Sequence, residues 1–379
     1  MRKGWEYKKL GEVATYINGY AFKPDQWKES GTPIVRIQNL NNANAPYNYY
    51  DGEVPDKVKI QNGDLLISWS ASLGAYIWNG GNAFLNQHIF KVAFDKTDID
   101  KFFLKYAVTS KLAAMAEQVH GATMKHIVKK DFDNTQIPYP PKSTQLAIVS
   151  ELDKINELIR LKKEQLKDFD NLAQSLFYEM FGDPVENEKG WEVKKLGKVC
   201  SIGTGSTPNR KNKDFYENGT YPWVKSTEVC NLPIYSVEEY ITEEALKNSN
   251  CTLYPQNTIL MAMYGQGKTR GQIGLLKIEA CTNQAVAAII PAKEVVDEIF
   301  LCQHLMLMYE HIRNMARGGN QANLNLSIVK SIQIFLPPLS LQHLFAQRIE
   351  QIEREKSEVQ KSIQDLETLL ASRMQYWFE

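Results

Sequence analysis

Hydrophobic positions along the chain follow two periods, and each period occurs twice. Short runs with β-branched and aromatic residues, such as DLLISW, YPWVKS and TILMAM, are separated by Gly, Asn and Pro. Runs of this kind predict strands. Around 100–118 and 298–316 the spacing changes to threes and fours, which predicts one helix in each place. The mixture indicates an α+β fold built from two similar globules.

Each globule is followed by a longer helical pattern. A Pro-Pro pair and then a serine, Ser143 or Ser340, precede it, and serine is a preferred N-cap. Neither pattern contains Gly or Pro, and each runs for roughly 38 residues, or ~57 Å of helix. The predicted apolar seams are Ile148, Leu152, Ile155, Ile159, Lys162, Leu166, Phe169, Ala173, Leu176 and Met180, and then Phe345, Ile349, Ile352, Lys356, Val359, Ile363, Leu366, Leu370, Arg373 and Trp377.

Two long helices with one apolar stripe each most simply pack on each other as an antiparallel coiled coil. The alternative is that each helix lies along its own globule as a core helix. Lys162 and Lys356 interrupt the two seams. Polar residues at such positions fix the register of a coiled coil, or they extend their charged ends to solvent.

An internal repeat explains why every pattern occurs twice. GWEYKKLGEV at 4–13 recurs as GWEVKKLGKV at 190–199, with an offset of 186. Pro33 matches Pro222 at an offset of 189. The pairs Asn-Gln at 86–87 and 283–284, HGAT and RGGN at 120 and 317, and IPYPPKSTQ and IFLPPLSLQ at 137 and 334 all share an offset of 197. Matches in the same order over both halves indicate a tandem duplication.

The duplication predicts the domain boundaries and a symmetric arrangement. We expect recognition globules at 1–142 and 190–339, long helices at 143–181 and 340–379, and a linker at 182–189. Two related globules with a separation set by the helices suit a linear ligand with two half-sites, for which duplex DNA is the obvious candidate. Lys plus Arg and Asp plus Glu are 44 each. DNA binding therefore requires positive charge on one face, and neutrality also suits a subunit of a larger complex.

Several segments together resemble one known family. They are FGDPVENEKGWEVKKLGKV after the first long helix, the paired Asn-Gln, the Gly loop before IPYPP and IFLPP, and the PPxSxQ that opens each long helix. The whole chain is similar to the specificity (S) subunit of Type I restriction-modification systems. The resemblance implies two target recognition domains that each read half of a bipartite double-stranded DNA target. It also implies that methyltransferase (M) subunits dock on the helices, that restriction (R) subunits join the full complex, and that the S subunit has no catalytic site.

Motifs for catalysis are missing from the sequence. The Pro-Pro pairs at 140–141 and 337–338 are followed by Lys and Leu, so an Asn/Asp-Pro-Pro-aromatic methyltransferase motif is absent. A nucleophile elbow, G-x-S-x-G, is absent too. The histidines His88, His120, His126 and His311 lack metal-type spacing, and the five cysteines form no C-x-x-C pair. We therefore expect no cofactor and no metal, and reduced thiols.

The sequence also predicts the cellular location of the protein. No run of 18 apolar residues occurs, and the first residues, MRKGWEYKKLGE, lack the apolar stretch of a signal peptide. With reduced cysteines, these features predict a cytoplasmic protein without a membrane span.

Four loops in each copy carry side chains that contact bases or phosphates in DNA-binding proteins. Loop 1 is 16–23 in the first copy and 203–211 in the second, and loop 2 is 36–39 and 225–227. Loop 3 is 68–72 and 264–270, and loop 4 is 120–126 and 317–323. Turn formation is the alternative role of Asn-Gly and GTGS in loop 1, and the paired Asn-Gln is expected to brace backbone. The candidate DNA-binding residues are Lys23, Arg36, Gln38, Ser70, Lys125, His126, Arg210, Lys211, Lys225, Gln266, Lys268, Thr269, Arg270, Asn320, Gln321 and Asn323.

Loop 3 of the second copy raises a rival function. AMYGQGKT at 262–269 fits the phosphate-binding loop G-x-x-x-x-G-K-[ST] if Ala replaces the first Gly, as in a nucleotidase. Such a loop leads into a helix, whereas RGQIGLLKI predicts a strand. Pairing Leu66 with Ile259 and Gly74 with Gly271 indicates that the second copy gained four residues here. We expect a DNA-contacting hairpin tip. A coiled-coil scaffold that binds other proteins is the remaining alternative.

Overall fold

The computed structural model describes residues 4–42, 44–118, 127–265, 267–316 and 323–379. The chain forms two compact units. Unit 1 consists of residues 1–163 and 361–379, and unit 2 consists of residues 164–360. None of the described helices combines the length and the apolar run that a membrane span needs.

Unit 1 mixes short strands with helices, as the sequence predicts. Its helices are α1 (Leu10–Val13), α2 (Ile37–Asn41), α3 (Lys101–Gln118), α4 (Lys129–Asn134) and the first part of α5 (Lys142–Phe181). Its strands are β1 (Glu6–Lys9), β2 (Thr15–Asn18), β3 (Thr32–Val35), β4 (Asn48–Tyr50), β5 (Lys59–Ile60), β6 (Leu65–Ser68), β7 (Gly74–Ile77), β8 (Ala83–Leu85), β9 (Ile89–Ala93) and β10 (Gln136–Tyr139).

The strands of unit 1 form small sheets around an aromatic core. The described strands pair in the orders β2-β9-β6-β7, β4-β3-β8-β5 and β1-β10. Pairing is antiparallel except between β3 and β8, where Ile34 lies opposite Phe84. The predicted strand DLLISW is β6, and all four of its side chains are buried. Such a continuous apolar run fits a strand that is covered on both faces.

Unit 2 repeats the plan of unit 1. Its helices are α6 (Leu196–Val199), α7 (Glu243–Asn248), α8 (Glu298–Leu307), α9 (Tyr309–Asn314), α10 (Leu326–Ser331) and the first part of α11 (Leu339–Phe378). Its strands are β11 (Glu192–Lys195), β12 (Cys200–Thr204), β13 (Tyr221–Val224), β14 (Pro233–Ile234), β15 (Tyr240–Ile241), β16 (Ile259–Ala262), β17 (Ile273–Leu276), β18 (Cys281–Thr282), β19 (Val286–Pro291) and β20 (Gln333–Leu336).

The sheets of unit 2 have the orders β12-β19-β16-β17-β14, β15-β13-β18 and β11-β20 among the described strands. The parallel pair β13-β18, with Trp223 opposite Cys281, corresponds to β3-β8 in unit 1. The predicted helix around 298–316 is interrupted at Met308, so α8 and α9 together occupy the place of α3.

Burial raises the pKa of Cys302 in this core to about 12, which keeps its thiol protonated at neutral pH.

The strand registers confirm the duplication and correct one detail of it. Ser68 pairs with Ile89, and its equivalent position opposite Val286 is held by Ala262. The offset at this strand is therefore 194, so Ile259 corresponds to Leu65 rather than to the predicted Leu66. A slip by one residue would turn every side chain of the strand to the other face of its sheet, which fixes this register. The return strand shifts equally, since Ala75 corresponds to Ile273, and the insertion of four residues stands.

The long helices begin one residue before the predicted caps. The carbonyls of Pro141 and Pro338 accept the first helical hydrogen bonds, so the prolines hold the cap positions and Ser143 and Ser340 lie inside the helices. The side chain of Gln145 accepts from the backbone N–H of Asp100 at 2.8 Å and donates to the carbonyl of Pro140 at 2.9 Å. The repeated glutamine of PPxSxQ, rather than its serine, therefore ties each helix start to its globule.

The same pair of bonds holds the second helix in unit 2. Gln342 accepts from the N–H of Asp297 at 2.9 Å and donates to the carbonyl of Pro337 at 2.8 Å. Asp297 in turn caps α8, because its side chain accepts from the N–H groups of Ile299 and Phe300. Gln145 and Gln342 are both almost completely buried.

The ends of both helices pack inside a globule, where the seam departs from the prediction. In unit 2, Phe181 is fully buried against Phe300, with ring centroids 4.9 Å apart. In unit 1, Phe378 is buried against Phe103 at 5.3 Å. The heptad seam had placed Met180 and Trp377 at these ends, one residue earlier. The buried face rotates there because the last turn packs against a globule as well as against the other long helix.

The remainder of each seam pairs the two helices within a unit. In unit 2, Phe177 of α5, one residue after the predicted seam position Leu176, packs against Phe345 of α11 at 5.6 Å. Lys356 of α11 forms an ion pair with Asp170 of α5 at 2.8 Å and another with Glu353. Burial lowers the pKa of Lys356, but its hydrogen bonds to these carboxylates outweigh that effect and raise it overall. The lysine therefore stays charged within the seam and links the two helices.

The segment after α5 is a folded turn. The side chain of Asp183 accepts from the N–H groups of Val185 and Glu186. The ring of the fully buried His304 contacts the carbonyl of Pro184 at 3.2 Å. Burial lowers the pKa of His304 to about 4, so the ring is neutral at neutral pH and donates this bond through Nε2.

Candidate nucleic-acid interface

The Asn-Gln turn joins the loops of each unit. In unit 1 this turn, between β8 and β9, starts at Asn86, whose backbone N–H donates to the carbonyl of Val35 at 3.1 Å, immediately before loop 2. In unit 2, Asn283 donates to Val224 at 3.0 Å in the same way. The side chain of Asn283 also accepts from the N–H of Ala285. The prediction that these asparagines brace backbone is confirmed.

Loop 1 passes against the Asn-Gln turn at a glycine. Tyr20 donates its backbone N–H to Leu85 at 2.7 Å, and Ser206 donates to Thr282 at 3.0 Å. A Cβ on Gly19 would lie 2.2 Å from the carbonyl oxygen of Asn86, and a Cβ on Gly205 would lie 1.8 Å from that of Thr282. Both distances are far shorter than any real contact, so only glycine allows this approach.

Loop 3 contacts the turn on its other side. The backbone N–H of Trp69 donates to the carbonyl of His88 at 3.4 Å, and the backbone N–H of Met263 donates to the carbonyl of Ala285 at 2.8 Å. The backbone N–H of Ile127, just after loop 4, donates to the carbonyl of Trp69 at 3.1 Å. In unit 2 the backbone N–H of Leu324 donates to the carbonyl of Met263 at 3.1 Å. The turn therefore brings loops 1, 2 and 3 together, and the residues that follow loop 4 are bonded to loop 3.

The candidate residues differ in how accessible they are. Lys23, Gln38, Arg210, Lys211 and Lys268 are exposed, whereas Thr269 and Arg270 are half-buried. Ser70 is nine-tenths buried, which leaves little of it for a ligand. Asn323 is half-buried at the start of the chain that returns from loop 4. Five further candidates lie outside the described residues: Lys125, His126, Gln266, Asn320 and Gln321.

Neighbouring groups in loop 2 and beside it hold the candidates Arg36 and Gln38. The guanidinium of Arg36 lies 4.9 Å from the ring centroid of Trp27, and its Nη1 donates to Asn48 at 3.1 Å. The backbone N–H of Arg36 donates to Asn39, which is buried. Gln38 donates to the carbonyl of Pro46 at 3.3 Å. Loop 2 of unit 1 is therefore fixed by its own hydrogen bonds.

In unit 2 the corresponding cluster is ionic. Arg210 lies over Tyr216 and Trp223, at 4.6 and 4.8 Å, and forms an ion pair with Glu239 at 2.6 Å. Lys225 forms ion pairs with Glu238 at 2.6 Å and with Glu239 at 3.2 Å. The hydrogen bond from Arg210 lowers the pKa of Glu239, and the one to Glu238 raises the pKa of Lys225. These shifts keep Lys225 and Glu239 charged at neutral pH.

The strand after loop 3 of unit 2 rules out a nucleotide-binding loop. β16 and β17 are antiparallel neighbours, so residues 263–272 connect two strands of a hairpin. A phosphate-binding loop needs a following helix, whose N-terminal N–H groups point at the phosphate. The loop is instead held by α9, since Tyr309 donates to the carbonyl of Lys268 and Arg313 donates to that of Arg270. The nucleotidase interpretation of AMYGQGKT is therefore wrong.

Six side chains that contact these cations were missing from the candidate residues: Trp27, Asn48, Tyr216, Trp223, Glu238 and Glu239. All six are aromatic or polar residues without a recognisable motif of their own. The offset of 189 that relates Pro33 to Pro222 also relates Trp27 to Tyr216. The alignment of the repeat was therefore the available signal for the aromatic pair.

Comparison with known proteins identifies relatives over the full chain. The sequence profile described as "Type I restriction modification DNA specificity domain" matches residues 2–168 and 188–368. The Type I restriction enzyme MjaVIII specificity subunit of Methanocaldococcus jannaschii is 25% identical, covering 97% of this chain and 92% of its own. The EcoBI specificity subunit of Escherichia coli is 23% identical, covering 95% and 81%.

Solved structures have the same fold. A chain from work on complex assembly and conformational transition of the type I R-M system superposes with a TM-score of 0.66 at 17% identity, covering 99% of this chain and 97% of its own. The S subunit of a Type I restriction-modification system from M. genitalium superposes with a TM-score of 0.57 at 15% identity, covering 100% and 98%. Both similarities concern the fold.

Proposed function

The chain belongs to the family of Type I restriction-modification DNA specificity domains, and we propose that it is the subunit that reads the DNA target of such a complex. Each unit reads one half of a bipartite sequence through loops 1 to 4. The observation that carries this proposal is the meeting of loops 1, 2 and 3 at the Asn-Gln turn in both units, through equivalent hydrogen bonds.

The chemistry of the loops suits duplex DNA. Arg36 and Gln38, and in unit 2 Arg210 and Lys225, can donate to base edges in the major groove, where arginine prefers guanine and glutamine prefers adenine. The exposed lysines Lys23, Lys211 and Lys268 suit phosphates, which position a protein without specifying sequence. Lys125 and Asn320 of loop 4 stay candidates from the sequence alone, since they lie outside the described residues.

We assign catalysis to partner subunits and the docking of those partners to the long helices. Several leucines on α5 and α11 remain between 42% and 50% exposed although the helices bury their seams. Leu172 and Leu369 occupy equivalent positions of the repeat, which suits two copies of one partner, as two methyltransferase subunits would supply. Restriction subunits would join through those. The exposed leucines are Leu146, Leu158, Leu161 and Leu172 on α5, and Leu344 and Leu369 on α11.

Charge reversal of Lys268 tests whether loop 3 faces DNA. We expect Lys268→Glu, assembled with methyltransferase subunits, to bind its cognate duplex about tenfold more weakly at low salt, because a phosphate contact is replaced by repulsion. The slope of log affinity against log salt should become shallower by about one. Fluorescence anisotropy over a range of salt concentrations measures both quantities.

Lys198 offers a matched control for this experiment. It is also exposed, and it lies in α6, at the opposite end of β12 from loop 1. Lys198→Glu should therefore leave the affinity within about twofold of the original. Equal losses for the two variants, or none for Lys268→Glu, would contradict the placement of DNA at the loops. Affinity that does not depend on salt would instead favour a protein-binding scaffold.

A further inference from the structure

The two units hold a cation over an aromatic ring at equivalent places but supply it from different loops. Trp27 and Tyr216 each follow a 3-10 turn. An offset of 189 relates Trp27 to Tyr216, and the same offset relates Arg36 to Lys225. Asn48 lies opposite Ile34 in unit 1, and Glu239 lies opposite Trp223 in unit 2, so these two residues also correspond. Aromatic ring, cation and anchoring oxygen are thus present in each unit.

Loop 2 supplies the cation in unit 1. Arg36 stacks on Trp27, and its guanidinium donates to Asn48. A guanidinium has five N–H donors in a planar fork, and the bond to Asn48 uses one of them. Arg36 directly follows Val35, whose carbonyl accepts from the Asn-Gln turn. The cation is therefore at the point where the loops meet.

Loop 1 supplies the stacked cation in unit 2. Arg210 stacks on Tyr216 and is anchored by Glu239, while its side chain remains 49% exposed. Lys225, the counterpart of Arg36, binds the other oxygen of Glu239. Lys225 thus neutralises the carboxylate of Glu239, and the position over the ring of Tyr216 is occupied by Arg210 from loop 1.

A stacked and anchored arginine is suited to reading a base. Its long side chain has little rotamer freedom left, so forming a contact entails a smaller loss of entropy. A guanidinium offers two parallel N–H groups to O6 and N7 of guanine, which lysine cannot do with the same geometry. A phosphate contact needs no such fixed orientation, and the exposed lysines of the loops can make it.

We propose that Arg36 and Arg210 are equivalent specificity-determining residues, each contacting one guanine in the half-site that its unit reads. The proposal rests on the proposed function, because it presupposes that both units read DNA. Unit 1 anchors this arginine with a neutral amide and unit 2 anchors it with a carboxylate. The same reading position has thus been kept while the loop that supplies the side chain has changed.

Arginine-to-lysine substitutions test the proposal, because they keep the charge and remove the fork. The complex with methyltransferase subunits is prepared with Arg36→Lys, with Arg210→Lys and, as a control, with the conservative exchange Lys198→Arg at an exposed position of α6. Each is titrated with the target found by methylome sequencing and with duplexes that carry single base-pair replacements. Replacing a contacted G·C pair should weaken binding of the unsubstituted complex about ten- to hundredfold.

We expect Arg36→Lys to reduce that penalty to below about threefold at one G·C pair of one half-site, and Arg210→Lys to do so at one pair of the other half-site. The control should change no position. Unchanged penalties in both variants, or equal weakening for every duplex together with a lower melting temperature, would overturn the proposal in favour of a structural role. If the unsubstituted complex has no bipartite target at all, the proposed function itself fails, and that outcome is distinct.

Discussion

Replacement of Phe378 by alanine is expected to destabilise unit 1 by about 3–5 kcal/mol, although Phe378 is far from the rest of that unit in the sequence. The ring is almost fully buried against Phe103, and Lys111 donates to its backbone carbonyl at 2.7 Å. Truncation removes this packing and leaves a cavity. The equivalent substitution Phe181→Ala should destabilise unit 2 instead, since that ring packs against Phe300.

Hydrogen exchange distinguishes the two variants. Phe378→Ala should accelerate exchange in β6 and β9 of unit 1, and Phe181→Ala should do so in β16 and β19 of unit 2. Tyr376→Ala is the matched control, because Tyr376 is 54% exposed two residues before Phe378. It should change the free energy of unfolding by less than about 1 kcal/mol. If Phe378→Ala accelerates exchange only in the last turn of α11, the helix end is not part of the core of unit 1.

Replacement of Gln342 by leucine is expected to reduce the free energy of unfolding of unit 2 by about 2–4 kcal/mol. Leucine has a similar size, so packing changes little. The N–H of Asp297 and the carbonyl of Pro337 would both lose their partner, and buried polar groups without a partner are unfavourable. Chemical denaturation, followed by the fluorescence of tryptophans in unit 2, measures the change.

Gln347→Leu provides the control for this substitution. Gln347 is exposed on the same helix, five residues further on. The same change there should alter the free energy of unfolding by about 0.5 kcal/mol or less. An equal effect at both positions would show that the measured loss reflects helix propensity or solubility rather than the pair of bonds at Gln342.

The repeat made most of the fold predictable from the sequence. Matching segments in the same order in both halves identify equivalent strands, and DLLISW, YPWVKS and TILMAM all form strands. The sequence could not show whether Ile259 corresponds to Leu65 or to Leu66, because the neighbouring residues in both runs are apolar. Only the pairing with β19 distinguishes the two faces of the strand.

The starts and ends of the long helices were predicted less well, for reasons that are physical. Ser143 resembles an N-cap locally, but the carbonyl of Pro141 accepts the first helical hydrogen bonds, and Gln145 accepts from the N–H of Asp100, which is distant in sequence. The heptad pattern describes contact between two helices. It therefore placed Met180 in the seam and missed Phe181, whose environment is set by a globule.

The loop residues could be predicted by type, but their partners could not. Arg36 and Arg210 were candidates because arginine contacts DNA. That both lie over an aromatic ring at equivalent positions depends on strand pairing across each unit. The contrast between an exposed Lys268 and a buried Ser70 likewise depends on how loop 3 folds.

The central claim is that this chain selects the DNA sequence on which its complex acts. Methylome sequencing of cells that express it together with methyltransferase subunits tests this claim most directly. We predict adenine methylation at one bipartite motif, which disappears when this chain is deleted and changes in one half only when Arg36 is replaced by lysine. Methylation that is the same with and without the chain would contradict the account.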